Sequence, residues 1–478
     1  MNVKLNIYPK RKSVKLKPYM VAKYCYYILI RSYYYLITYI PNLTSFFARY
    51  IIHPLIFKKE TKYNKLVRSA FLWAGGGLIS TSDYKAQRGG IKVLLDYLGG
   101  HVKPIKKKTK PVVYLGWCVS PEFLRAFDVY YIIPEAMSIA GSFMGQDITH
   151  HMLEVIEAEG GSMESCSASK IGAGAYLTNQ LPPPDLIVTS SHPCDSGVAF
   201  YPTLQNLTKA PMYVLDTPYG KDEGSYEYYA HNIWGMIRFL EKHLNQKMNW
   251  EKLKEACEEL NKTNFYLQEL TEMGRAIPSP ISGEVLTQSW AFKLMGSGSK
   301  HLTQSAKMMY ENAKARIARG EGWAKNEKIR MIWWDVPIAF VNLYPWLEKE
   351  FGAVVVGGDL MGRCNTPYVD TSSEESIIQS MAKVHLSVSM ARNVRGPYEY
   401  ITDEFEQIIA EYSGDCFIFV GHNGCKHGWA ASKMKKDICK RVGLPALFMS
   451  SDYADSRNTS EEALKKQLSD FFISNGLA

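Results

Sequence analysis

The first 59 residues contain no aspartate or glutamate, and the 478-residue chain contains no closely spaced cysteine pair. It also lacks GxxxxGK[ST], GxSxG and HExxH. These absences exclude a phosphate-cradling P-loop, a hydrolase nucleophile elbow and a helical zinc-protease motif. Nine cysteines without pairing exclude a disulfide framework and point to a reducing cytoplasm. No low-complexity tract or strong internal repeat is present, although two α/β blocks resemble distant copies. The acid-free stretch carries 11 of the 56 Lys/Arg, which leaves 45 basic against 47 acidic residues elsewhere. The net charge of +9 therefore belongs to the N-terminal arm, and no nucleic-acid partner is indicated. Arg31, Pro41, Asn42 and Arg49 break the arm's apolar run, so it falls short of a clean spanning helix. No signal-peptide cleavage pattern follows it. Two readings of the arm stay open: an interfacial segment making peripheral membrane contact, or an extension that packs on this subunit or a partner.

What is present divides into five parts. Residues 1–57 form the basic aromatic N-terminal extension, and 58–110 form a helical/linker segment ending in KPIKKKTK. In 111–224, PVVYLGW, YYIIPE, PDLIVTSS and KAPMYVLDTPYG read as strands alternating with helical segments. Residues 225–325 read as mostly helical, and 326–478 alternate again through KIRMIWWDVPI, GAVVVGG and DCFIFVGHN. Short buried strands between helices predict α/β architecture: two parallel-sheet Rossmann/flavodoxin-like domains joined by a helical segment. Ligands of such sheets gather at the carboxyl ends of strands, where Cys118, Cys194 and Asp216 fall.

Three cysteines stand in loops of small polar residues: Cys166 in SMESCSASK, Cys194 in TSSHPCDSG and Cys425 in GHNGCKHGW. They are 28 and 231 residues apart, too far for a zinc knuckle or a ferredoxin run. If the loops converge, they offer three thiolates to one cluster and no fourth, leaving an iron able to bind substrate. The other reading is that each is an ordinary buried cysteine. Cys118 is a ligand or a pocket wall, Cys364 lies near a site or in a loop, and Cys257, Cys416 and Cys439 read as packing residues. Glu122 and Glu135 each open a helical turn, either as dipole-stabilising caps or as acid–base groups. His192, His422 and His427 flank the cysteines and either tune a cluster, move protons or serve structure.

The segments GWCVSPEFLRAFDVYYIIPEAMSIAG, ESCSASKIGAGAY, PPPDLIVTSSHPCDS, APMYVLDTPYG and GHNGCKHGWAASKMKKDICKRVGLPALFMSSDYADSRN resemble the 2-hydroxyacyl-CoA dehydratase / benzoyl-CoA reductase family of iron–sulfur proteins. The likeness is closest to the larger cluster-bearing subunit of 2-hydroxyglutaryl-CoA dehydratase. It covers about residues 110–478. It implies one [4Fe-4S] cluster held by Cys166, Cys194 and Cys425, a smaller homologous cluster-bearing subunit, an ATP-dependent iron–sulfur activator protein, and an acyl-CoA substrate. The implied reaction is radical elimination of water from a 2-hydroxyacyl-CoA, by way of a ketyl radical, to give an enoyl-CoA. In the aromatic branch the same architecture adds electrons to a ring. A non-catalytic electron-transfer or scaffold subunit is the third reading. Glu122 and Glu135 match acidic positions of the family pattern. Asp128 and the bulky MIWWDVPIAF segment depart from it.

Overall fold

The computed structural model describes Val93, Tyr97 and residues 109–139, 146–335, 337–341, 343–359 and 365–478. The basic arm, nearly all of the 58–110 segment and Cys364 lie outside the described residues.

Two four-stranded sheets form, and every strand pair in them is parallel. The first contains β1 (Val112–Leu115), β2 (Tyr130–Ile132), β3 (Leu186–Ser190) and β4 (Met212–Leu215), in the order β2-β1-β3-β4. The second contains β5 (Ile329–Trp334), β6 (Ala353–Gly358), β7 (Cys416–His422) and β8 (Ala446–Ser451), in the order β6-β5-β7-β8. VVYL, LIVTS, IRMIWW and CFIFVGH are buried at every position, as parallel strands covered on both faces must be. The strand order is the same in both sheets. Each therefore reverses direction at one point, between β1 and β3 in the first and between β5 and β7 in the second, and ligands of open α/β sheets bind at such points.

In the first half, α1 (Glu122–Arg125) follows β1, α2 (Gln146–Ala158) and α3 (Ser167–Leu177) lead to β3, and α4 (Asp195–Thr208) leads to β4. Four helices then carry the chain between sheets: α5 (Glu223–Leu244), α6 (Trp250–Glu272), α7 (Gly283–Gly296) and α8 (Lys300–Ala318). In the second half, α9 (Tyr344–Phe351) precedes β6, while α10 (Glu374–Ser387), α11 (Ser389–Val394) and α12 (Glu399–Tyr412) lie between β6 and β7. After β7 come α13 (Lys426–Ala430) and α14 (Ser432–Val442), and α15 (Glu461–Ser474) follows β8.

Helix α6 ties the halves together. Its Leu253, Cys257 and Leu260 belong to the core under the first sheet, and its Leu267 and Leu270 to the core under the second. Asp222, Asn249, Ser282 and Ser299 cap α5 to α8 by accepting first-turn amides, each worth about 1 kcal/mol. Cys257, Cys416 and Cys439 are fully buried packing residues, as the sequence predicts. Asp128 stays at the surface, paired with Lys110, with its amide donating to Gln246 Oε1. No helix among the described residues is long and apolar enough to cross a membrane.

Helices α2 and α3 touch backbone to backbone. A Cβ on Gly174 would lie 2.1 Å from the Met152 carbonyl oxygen and 2.6 Å from its carbonyl carbon. Backbone cannot yield as a flexible side chain can. Gly174→Ala should therefore push the two helices apart and destabilise the chain by about 1–3 kcal/mol, read as a lower thermal midpoint.

Candidate functional site

The two reversal points face one cavity of about 1090 Å³, part of it open to solvent. Its wall comes from strand ends of both halves. Trp117 follows β1, Glu135 follows β2, and Pro193 and Cys194 follow β3. Trp334 and Asp335 stand at the end of β5, Asp359 follows β6, and His422 and Cys425 end and follow β7. Cys166 enters from the loop before α3, so all three candidate cysteines line the same cavity.

Each of the three stands at the N-cap position of a helix: Cys166 for α3, Cys194 for α4 and Cys425 for α13. First-turn amides of these helices approach the sulfurs. Those of Ala168 and Ser169 are directed at Cys166, and those of Ser196 and Gly197 at Cys194. The Gly428 amide donates to Cys425 Sγ at 3.4 Å. Amides and helix N-termini favour thiolates. Burial works against them: it pushes Cys166 up to about 12, and Cys194 and Cys425 are also raised.

The three loops are joined in pairs. The Cys166 amide donates to Ser196 Oγ at 3.2 Å. Lys426 Nζ donates to Asp195 Oδ2 at 2.7 Å. Gly424 lies against the Ser165–Cys166 peptide so closely that a Cβ there would be 2.5 Å from Cys166 N.

The other singled-out residues separate by position. Glu135 lines the cavity, and Tyr201 Oη donates to its Oε2 at 2.5 Å. Burial lifts this carboxyl to about 7 against the pull of that hydrogen bond. Glu122 does not line the cavity; it is fully buried beside α7, with Ser297 Oγ donating to its carboxylate. His422 and His427 line the cavity. His192 is buried away from it against Thr217, and burial lowers it to about 3. Cys118 lines an adjoining cleft with Trp117 and Ser297. Asp216 binds Ser191 and Tyr228 at the surface.

Sequence reading missed Trp334, Asp335, Asp359 and Lys435 on the cavity wall. A signal for Lys435 was available: it shares the buried stripe of α14 with Ile438 and Cys439, where an apolar residue is expected. The bulky MIWWDVPIAF segment supplies the Trp334 and Asp335 wall.

Among the described residues, no group of three or more His, Cys, Asp or Glu is placed to hold a single metal ion. Three thiols around one cavity, each at a helix N-cap position, would fit instead a polynuclear cluster, whose ligands stand on separate irons.

Residues 116–472 match the family described as 2-hydroxyglutaryl-CoA dehydratase, D-component, and the chain belongs to that family. It is 20% identical over 367 residues to the (R)-phenyllactyl-CoA dehydratase alpha subunit of Clostridium sporogenes, covering 73% of this chain and 86% of that protein. It is 22% identical over 403 residues to the alpha subunit of the lactoyl-CoA dehydratase of Anaerotignum propionicum, covering 77% and 92%. It is 23% identical over 384 residues to a benzoyl-CoA reductase subunit of Thauera aromatica, covering 73% and 85%.

The packing and charge of this site set three expected outcomes. Gly424→Ala should separate the Cys425 and Cys166 loops and sharply lower iron bound after anaerobic reconstitution. Lys426→Ala, which breaks an exposed ion pair worth about 0–1 kcal/mol, should leave iron content unchanged. For Glu135, a carboxyl raised in the folded chain binds its proton more tightly there than when unfolded. Its contribution is therefore present below pH 4.5 and lost as pH rises to about 7. In urea denaturation of the iron-free chain, Glu135→Gln should remove about 3 kcal/mol of that decline across this window.

Proposed function

We propose that this chain is the [4Fe-4S] subunit of an ATP-activated, radical 2-hydroxyacyl-CoA dehydratase, with Cys166, Cys194 and Cys425 as the cluster's protein ligands. The observation that carries this reading is the meeting of three thiols, each at a helix N-cap position, in one cavity that no further described cysteine lines. The relatives named as dehydratase alpha subunits support the reaction class. Their names as alpha subunits support a partner subunit, which we assign as a smaller homologous cluster-bearing one. We assign the chain to the cytoplasm and its electron to an ATP-dependent iron–sulfur activator.

The chemical need explains the cofactor. The β-proton of a saturated acyl thioester is not acidic enough for a side-chain base near pH 7, so a cofactor must do the difficult step. When bound, the cluster would supply a low-potential electron and an iron lacking a fourth protein thiolate. The chain's own residues would do the rest. Ala168, Met390, Val394 and Ile401 give the cavity apolar walls that exclude water from the acyl group. Trp117 and Trp334 add flat apolar area. Glu135, which titrates near neutrality on this wall and is held by Tyr201, is the group we assign to proton transfer. Glu122 receives no step, since its carboxylate is turned to Ser297. A benzoyl-type reductase is the second reading, supported by the Thauera relative and the apolar walls.

The test is anaerobic purification with iron and sulfide analysis and electron paramagnetic resonance of the reduced protein. About four irons per chain, with a signal altered by a 2-hydroxyacyl-CoA, is the expected result. Cys194→Ser should lose iron and dehydration together. Retention of a full cluster in that variant would remove Cys194 from the ligand set. Turnover of a benzoyl-type thioester without any dehydration would select the reductase.

A further inference from the structure

Lys435 is the one lysine or arginine among the described residues lining the cavity. It sits in the first turn of α14, is 1% exposed, and holds its ammonium between two rings, 4.8 Å from the Trp334 centroid and 4.9 Å from that of Phe419. Among the described residues, its ammonium has no hydrogen-bond or ion-pair partner, only coulombic neighbours at longer range. Lysines at such positions ordinarily extend their amine to water. Holding an ammonium on so buried a side chain costs free energy, and its nitrogen is not fully enclosed but turns its unfilled donors to the cavity. Each aromatic face offsets part of that cost, and a ring accepts no conventional hydrogen bond from the remaining N–H groups. Burial lowers the amine to about 8, and the carboxylates of Asp335 and Asp359, together with Cys425, act from a distance against that fall and favour the charged form. Asp359 is held by Asn393.

We infer that Lys435 is the specificity-determining residue of the cavity: its ammonium donates to the hydroxyl oxygen of a hydroxylated acyl thioester, and so selects that class against the deoxy acyl thioester. This rests on the acyl-CoA reading above. Burial decides between oxygen types. Burial already raises Asp359 and Glu135 on this wall to about 7, so an acyl carboxylate would meet the same desolvation beside Asp335, whereas a hydroxyl carries no charge to bury. A hydrocarbon acyl group, aromatic or aliphatic, leaves the amine without an acceptor and is disfavoured for that reason.

The test uses the anaerobically purified, iron-loaded protein and binding rather than turnover. Dissociation constants are measured by calorimetry for (R)-phenyllactyl-CoA, for 3-phenylpropionyl-CoA, which lacks the hydroxyl, and for succinyl-CoA, which carries a carboxylate. The wild type should prefer the hydroxylated thioester over its deoxy partner by about 10- to 100-fold. Lys435→Met should abolish that preference by weakening only the hydroxylated ligand, and Lys435→Arg should retain part of it. Iron content and melting temperature show whether each variant is folded. Lys435→Gln serves as a second neutral variant if Lys435→Met fails that check. A preference that survives in the neutral variants would overturn the inference, as would equal binding of the pair by the wild type or tighter binding of succinyl-CoA. Those results leave the dehydratase reading intact if the thioester still alters the cluster's magnetic signal. If no thioester binds the wild type or changes its signal, the acyl-CoA reading fails and the inference fails with it.

Discussion

The cavity depends on how closely Gly424 approaches the peptide between Ser165 and Cys166. Each half of the chain brings its strand ends to a reversal point. Only when the loop after β7 lies flat on the loop before α3 do the two reversal points face one another across a single space. A side chain of any size at position 424 would hold them apart, because the atoms opposite belong to the backbone. The same loop is tight on its other side. Trp429 lies over Gly421, and its Nε1 donates to the His422 carbonyl at 3.1 Å. The exposed Lys426–Asp195 pair closes the remaining edge but contributes little to stability. Shape, more than charge, sets where the cysteines stand.

Charge then decides what those cysteines become. Burial and neighbouring anions keep the thiols protonated, while first-turn amides of α3, α4 and α13 oppose that tendency. The helices that only support the fold solve their first turns differently. Ser, Asp and Asn cap α5 to α8 with oxygen, so those amides are already satisfied. At the cavity the N-cap residue carries sulfur instead of oxygen and first-turn amides are directed at it, although the Ser196 amide also donates to Asp195 Oδ1. A cation bound there would complete the balance.

Much of this was legible in the sequence, for particular reasons. Strands such as VVYL and LIVTS are continuous apolar runs, and only parallel strands buried on both faces read that way. The carboxyl-end rule then placed Cys194 without knowledge of the tertiary structure. Cys166 and Cys425 stood out through their small polar neighbours. The two glutamates illustrate the limit. Glu122 and Glu135 look alike in sequence, each beside a proline at a helical turn, yet one faces Ser297 and the other the cavity. That difference is set by the packing of α1 against α6 and α7, which no local pattern encodes. Asp335 and Asp359 were missed for a similar reason. They come from the half of the chain farther from two of the cysteines, and they join the wall only once the halves close.

The distribution of the thiols along the chain has a consequence for biosynthesis. Two belong to the first half, and the third lies beyond β7, the seventh of the eight strands among the described residues. Under the proposed ligand set, a nascent chain that has not yet emerged past β7 lacks one of the three thiols, however well its first sheet has folded. On that reading, loading of the cavity follows synthesis of both halves and registers that they have met.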